Sequence, residues 1–377
     1  MNRNSKHCRA RRWGLLGALV VAAGVSGCQS LGFYTQAVKG QYQILAHQQP
    51  IDKLIADPQT PAELKERLQL VQQLRAFAGS KLKLPVDGHY RKYADVHRPF
   101  VVWNVQAAPE FSLQPKTWWY PLVGRLEYRG YFSEPGAQRC AGHLAGKGSD
   151  VYVDGVEAYS TLGWFKDPLL NTFIYRSEPE LAEVIFHELG HQRVFARGDT
   201  DFNEAYATTV GQEGARRWLR AGGHTNQFDR YVEALRRNDQ FVHLIMVTRE
   251  RLESVYGDTL DKDGKVKAAK KLPAPPAQLL AEKRRVYDGL REEYARLKSE
   301  WGGFAGYDDW FARDLNNAQL NSIANYYDYV PGFKRLLELN EGDLEKFYQA
   351  VERLSKVPKD KRHQQLRDLA KETSPRQ

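Results

Sequence analysis

The residues best equipped for chemistry stand together at His187-Glu188-Leu189-Gly190-His191. On a helix, positions i and i+4 share one face a turn apart, so the two imidazoles can turn toward one ion. That is the spacing at which two histidines hold zinc, with Glu188 beside them as a general base. A catalytic zinc site has three protein ligands and one open position, so one more donor is needed. Glu204, in Asn203-Glu204-Ala205-Tyr206-Ala207, is the best candidate. A short turn after the first helix lets a second fold back antiparallel, and a carboxylate in its first turn then faces the histidine pair.

The elements that must position these groups carry their own signals. Ser177 followed by Glu180 is a capping box, and Pro179 suits a first helical turn, where a missing N–H costs little. Leu181, Val184, Ile185 and Leu189 recur at helical spacing and give the segment an apolar side. Gly198 and Asp199-Thr200-Asp201 end it, and the second helix starts near Asp201 or Asn203. Helices are also expected over 31–50 and 61–78. From Arg98 the pattern turns to strands: Phe100–Val105, Leu122–Phe132, Asp150–Asp154 and Ala158–Phe165. His143 sits in a Gly-rich stretch that reads as a loop with a surface histidine. Beyond the site come a helix from Phe228 to about Tyr256 and a connector over about 257–276, a polar turn over Gly257–Gly264 followed by a basic, Pro-bearing stretch, free to move, over Lys267–Pro276. A charged helix over 277–299, a polar-aromatic stretch from Asp308 to Tyr329, a last helix over Phe333–Leu354 and a frayed, solvated tail follow. The expected class is α+β, mostly helical, with a small sheet beside the helix that carries the histidines.

Composition bounds the rest. The chain has 377 residues, 42% hydrophobic, ample for a sizeable core. Five of its nine net positive charges lie in the first 27 residues, so the remainder carries only +4. With no nucleic-acid motif beside it, that charge reads as ordinary solubilising surface and argues against a nucleic-acid partner. The first 27 residues read as a signal peptide: a basic start, then an apolar run from Trp13 to Ala23, too short to span a bilayer comfortably. Val25-Ser26-Gly27-Cys28 resembles a bacterial lipobox, which would make Cys28 the lipidated first residue of a mature chain over 28–377. Gln29, rather than Asp, after that cysteine suggests, by analogy with other lipoproteins, the outer membrane of a Gram-negative cell and a periplasm-facing protein. Cys8 lies in the leader, leaving Cys140 alone. No intrachain disulfide framework is available, and Cys140 reads as a buried or idle thiol.

His187-Glu188-x-x-His191 followed by Asn203-Glu204-x-x-Ala207 resembles the gluzincin metallopeptidases, whose third zinc ligand is a Glu on the next helix. Twelve residues separate His191 from Glu204, fewer than the better-known gluzincin aminopeptidases have. A closer resemblance is to the bacterial family named predicted or putative aminopeptidases. It is carried by the zinc helices, Arg98–Val105, Arg129-Gly130-Tyr131-Phe132, Tyr159–Phe165, Leu315-Asn316-Asn317-Ala318 and Val330-Pro331-Gly332-Phe333. The resemblance implies a zincin-like fold and a Zn2+ held by His187, His191 and Glu204. Glu188 would be the catalytic base, and a late tyrosine, for which Tyr326 is the candidate, would stabilise the oxyanion. It also places a substrate-pairing edge strand near Thr161-Leu162-Gly163-Trp164, suited to a peptide substrate. The implied activity is hydrolysis of N-terminal peptide bonds. The competing readings are an endopeptidase or cell-wall amidase using the same residues, and a zinc-binding scaffold lipoprotein without turnover. Acids near the metal should also steady the imidazoles. Glu213 lies two and a half turns beyond Glu204, on the opposite face, and is read as solvated or paired elsewhere.

Overall fold

The chain folds as a mostly helical α+β protein with small sheets, and the computed structural model describes residues 28–120, 124–158, 166–223, 225–261, 265–327 and 329–372. It opens with α1 (Cys28–Ala46), β1 (Gln49–Pro50), α2 (Ile51–Ala56) and α3 (Ala62–Ser80). A strand-rich stretch holds β2 (Lys92–Ala94), β3 (Val102–Pro109), β4 (Trp118–Tyr120), β5 (Gly124–Leu126), β6 (Arg129–Tyr131), then α4 (Glu134–Ala145) and β7 (Ser149–Val156). After β8 (Leu169–Leu170) and α5 (Asn171–Ile174) come the two helices of the motif, α6 (Glu178–Arg193) and α7 (Thr200–Ala221). The remainder is α8 (Thr225–Tyr256), the strand pair β9 (Thr259–Leu260) and β10 (Val266–Lys267), α9 (Pro276–Glu300), α10 (Asp308–Phe311), α11 (Asn317–Tyr327), α12 (Val330–Leu339), α13 (Leu344–Ser355) and α14 (Lys359–Glu372).

At the start of α6, the Glu180 carboxylate reaches back and accepts from both the backbone N–H and the hydroxyl of Ser177. This satisfies a donor that the helix itself leaves free. Leu181, Ile185, Phe186 and Leu189 bury the apolar side of α6, each contributing about 1.5–3 kcal/mol when fully removed from water. Trp218, near the end of α7, donates its indole N–H to Glu178 at the start of α6 at 2.8 Å, so the two helices run antiparallel. From Ala205 to Gln212 every residue of α7 is buried. A helix apolar or small all round is a central one. Around it pack α3, α6, α12 and α13 through Leu74, Phe186, Phe333 and Phe347.

The main sheet has the order β6-β3-β7, all antiparallel, with Trp103 opposite Tyr131 on one side and Gly155 on the other. Alternation along β3 divides its side chains. Trp103, Val105 and Ala107 pack on Ala137, Ala141 and Leu144 of α4, whereas Val102, Asn104 and Gln106 face a large cavity, as do Tyr152, Asp154 and Val156 opposite them on β7. Both outer edges of this sheet are occupied. On β7, Arg313 and Asn316 donate to the carbonyls of Val153 and Val151, each at 3.2 Å. On β6, Gln36 of α1 receives the N–H of Phe132 and donates to the carbonyl of Gly130. Side chains thus take part of each edge. The expected pairing segment Thr161–Trp164 lies outside the described residues.

Several expectations are corrected. His143 lies in the last turn of α4, exposed, and not in a loop. The helix of the histidines ends at Arg193, and its partner begins at Thr200, so Glu204 sits in the second turn of α7. The expected last helix is two, α12 and α13, parted by a turn in which Glu341 and Gly342 have φ of 57° and 71°. The tail is not a solvated fringe. It forms α14, which buries Arg362, His363 and Leu366. In the polar turn after α8, Asp258 accepts from the Ser112 hydroxyl and the Leu113 N–H at 2.9 and 2.7 Å, and in the basic stretch the Ala268 N–H donates to Gln114 at 3.3 Å.

Candidate metal centre

Helix α6 presents His187 and His191 one turn apart, and α7 brings Glu204 across to them. The two Nε2 atoms lie 3.2 Å apart, and Glu204 Oε2 lies 3.3 Å from His187 Nε2 and 3.5 Å from His191 Nε2. Metal–ligand bonds of about 2.0–2.1 Å in a tetrahedron require ligand atoms about 3.3 Å from one another. All three separations match that edge, so the residues fit a tetrahedrally coordinated ion such as zinc without rearrangement. The close approach of the helices is what permits this. A Cβ on Gly211 of α7 would stand 2.7 Å from the Glu183 carbonyl and 3.1 Å from His187 Cβ, so glycine is required there.

The electrostatics agree with a site built for a cation. Burial opposes a charge on Glu204, yet His191 and His187 hold its carboxyl far below the usual range. Glu188, only 8% exposed, goes the other way: burial pushes its carboxyl up to about 7, with the charges of Glu204 and Asp167 adding to the effect and His187 opposing it. Its Oε2 is buried with no hydrogen-bond partner among the described residues. A buried carboxylate oxygen without a partner is costly, and this one stands at the cavity wall. The Nδ1 of His191 is likewise unpartnered, so the acid expected to steady that ring is not found among the described residues. Glu213 pairs with Arg217 at 2.8 Å, away from the site.

The centre opens onto a cavity of about 1490 Å³, walled by α1, the inner face of the sheet, α6 and α7, and by Trp310, Arg313 and Tyr327. Beyond Glu204 it continues into a small recess lined by Gln106, Arg125, Glu127, Tyr128, Asp201 and Lys265. Here the connector contributes chemistry that its sequence did not advertise. The Lys265 ammonium pairs with Glu127 and lies 3.4 Å from Asp201 Oδ2. Burial works against the charge of Lys265, but Asp201 and Glu127 outweigh it and raise its pKa. Tyr128 is a further residue missed by sequence reasoning. Burial raises its pKa, and the nearby Glu204, Tyr120 and Glu188 raise it further, so the hydroxyl stays protonated and keeps a hydrogen to donate at the cavity wall. Its one sequence signal is adjacency to Arg129-Gly130-Tyr131-Phe132. Tyr326 belongs to α11, and its side chain lies outside the described residues.

A second group of potential ligands, Asp199, Asp201 and His363, is also close together. Asp199 is filled by the chain's own side chains. It accepts from Arg362 Nε at 2.7 Å and His363 Nε2 at 2.8 Å, with Lys359 at 3.3 Å, while the Tyr329 hydroxyl meets the other nitrogen of His363 at 3.0 Å. This cluster ties α14 to the residue that precedes α7, the helix carrying Glu204.

Fold and centre together define a class: a mostly helical α+β protein with a two-histidine, one-carboxylate centre competent for a metal, set beside a large cavity. Residues 32–366 match the model of the putative aminopeptidase family, and the chain belongs to that family. No curated protein and no solved structure matches it.

Proposed function

We propose that the protein is a zinc-dependent peptidase of zincin-like design that removes residues from the free amino end of peptides. The observation that carries this reading is the set of ligand separations, 3.2, 3.3 and 3.5 Å, next to an unpartnered carboxylate oxygen of Glu188 at the cavity wall. His187, His191 and Glu204 hold the ion. When bound there, zinc supplies a Lewis acid that polarises the scissile carbonyl and lowers the pKa of a water molecule. Glu188 takes the proton of that water and returns it to the departing amine, a task for which a raised carboxyl pKa is suited. The Tyr128 hydroxyl donates to the oxyanion, which needs a second donor besides the ion. At the recess beyond Glu204, Glu127 and Asp201 already hold one ammonium, that of Lys265, and suit the α-ammonium of a substrate. A recess that ends there leaves little room for a longer N-terminal extension.

The proposal includes a lipid at Cys28 that holds the enzyme on the periplasmic side of the outer membrane. Its support is the leader sequence. No helix among the described residues is long and apolar enough to cross a membrane.

Metal analysis of the mature chain, with assays of the wild type and Glu188→Gln on matched peptides bearing free and blocked amino ends, tests the reading. Bound zinc, turnover restricted to free amino ends, and loss of turnover in Glu188→Gln are expected. Zinc without turnover on either peptide supports the scaffold instead, and equal turnover on both supports an endopeptidase. Cys28→Ala should release the protein from membranes, and continued retention refutes the anchor.

A further inference from the structure

Helix α1 has an apolar stripe that stays exposed among the described residues. Tyr34, Val38 and Tyr42, spaced i, i+4 and i+8, are 41%, 71% and 69% exposed. The opposite side of the helix is firmly docked. Phe33 and Ile44 are buried, Gln36 is hydrogen-bonded to β6, and Gly40 lies so close to the Phe132 ring that a Cβ there would collide with it. The stripe therefore cannot roll inward. The patch continues onto the neighbouring strand β4, where Trp119 is 62% exposed beside Tyr120, whose ring packs 5.9 Å from that of Phe33.

We infer that this face lies on the lipid bilayer, with the stripe of α1 seated at the headgroup level; the inference rests on the anchor proposed at Cys28. Three observations select lipid over a protein partner. The helix runs through from Cys28, the first described residue, so a rise of about 1.5 Å per residue puts Tyr34 about 9 Å and Tyr42 about 21 Å along the axis from the proposed acylated residue. The exposed residues are tyrosine and tryptophan with one valine, which are the rings that settle at a membrane–water interface. The helix has no Asp or Glu and one Lys, Lys39, so nothing on it repels anionic headgroups. Phe33, Tyr34, Ala37 and Gln41 of the same helix line the large cavity, so a seated α1 holds that cavity close to the lipid surface.

The test uses the mature, lipidated protein in vesicles of phosphatidylethanolamine and phosphatidylglycerol, in a Cys140→Ser background. An environment-sensitive fluorophore is attached at Val38→Cys, at Tyr42→Cys, or at Leu339→Cys, an exposed control site on α12. The labels at 38 and 42 should shift to the blue and lose most of their emission to nitroxide-bearing lipids, while the label at 339 does neither. Vesicles that float with the protein while labels 38 and 42 stay water-like overturn the inference and leave the anchor standing. A blue shift without quenching by lipid means that a protein, a second copy included, covers the stripe, and also overturns it. Protein that fails to float removes the anchor and this inference with it.

Discussion

Replacing Asp199 by Asn should loosen the whole right-hand end of the chain from the metal centre. The carboxylate is fully buried and compensates Arg362 and His363, with Lys359 beyond them. Burial alone would raise its pKa, but the hydrogen bond and charge of His363, then Lys359 and Arg362, hold it at about 2 instead of 3.8. That difference corresponds to about 2 kcal/mol of stability. The amide also leaves a guanidinium only 8% exposed without its counter-charge, and breaking a buried pair from one side costs about 3–5 kcal/mol. At about 2.1 cal/mol/K per residue, a chain of this length should lose about 4–7 °C in Tm. Because Asp199 precedes α7, zinc affinity should fall as well. Thermal unfolding with and without zinc, and hydrogen exchange across 359–372, measure both effects. The sign with pH is fixed: a depressed carboxyl stabilises above its unfolded pKa, and the contribution drains away as pH falls from about 4 through 2. A variant that melts within a degree of the wild type at neutral pH, with unchanged protection of α14, refutes the reasoning.

Metal-free Glu188→Gln should be more stable than the metal-free wild type at pH 8, by up to about 3 kcal/mol, because the wild type must ionise a buried group whose carboxyl is raised to about 7. The gap should close below about pH 4.5, where the unfolded chain is protonated too; an equal gap at both pH values, read from Tm in chelator, would count against it. Gly211→Ala forces α7 away from Glu183 and His187 and should cost about 1–3 kcal/mol together with zinc affinity, measured by thermal unfolding and metal titration. Glu127→Gln removes a charged acceptor worth about 1.5–3 kcal/mol, so KM for peptides with a free amino end should rise about ten- to hundredfold. Blocked peptides, if cleaved at all, should be unaffected. Asn317→Ala strips partners from the carbonyls of Pro109, Glu110 and Ser112 and from the Tyr256 and Tyr287 hydroxyls; stability should fall by several kcal/mol in urea unfolding, with zinc binding retained.

What could be read beforehand was local. The histidine spacing, the cap at Ser177 and the apolar side of α6 lie within sixteen residues of helix and the residue before it, and Glu204 follows one turn later. The residues that needed the fold are those whose partners are remote. Lys265 meets Glu127 138 positions away, and Arg362 meets Asp199 163 positions away; both stand in basic, polar stretches that look like solvated chain. For α4 a signal was present but outweighed. Ala137, Ala141 and Leu144 keep helical spacing and fill the space beneath β3, yet Gly136, Gly142 and Gly146 made the stretch resemble a loop. Tyr128 could not be singled out, because one tyrosine among twenty becomes a candidate only when β5 and β6 carry it to the carboxylates.

The attachment of α14 also orders events during synthesis. A ribosome that has delivered both histidines and Glu204 has still to make the 14 residues of α14, which bring the counter-ions of Asp199. A chain cut short before Lys359 lacks every one of these partners of Asp199, the residue that precedes the helix carrying Glu204. Under the proposed reading, metal capture therefore waits on the docking of α14, and a chain truncated before Lys359 should bind zinc poorly.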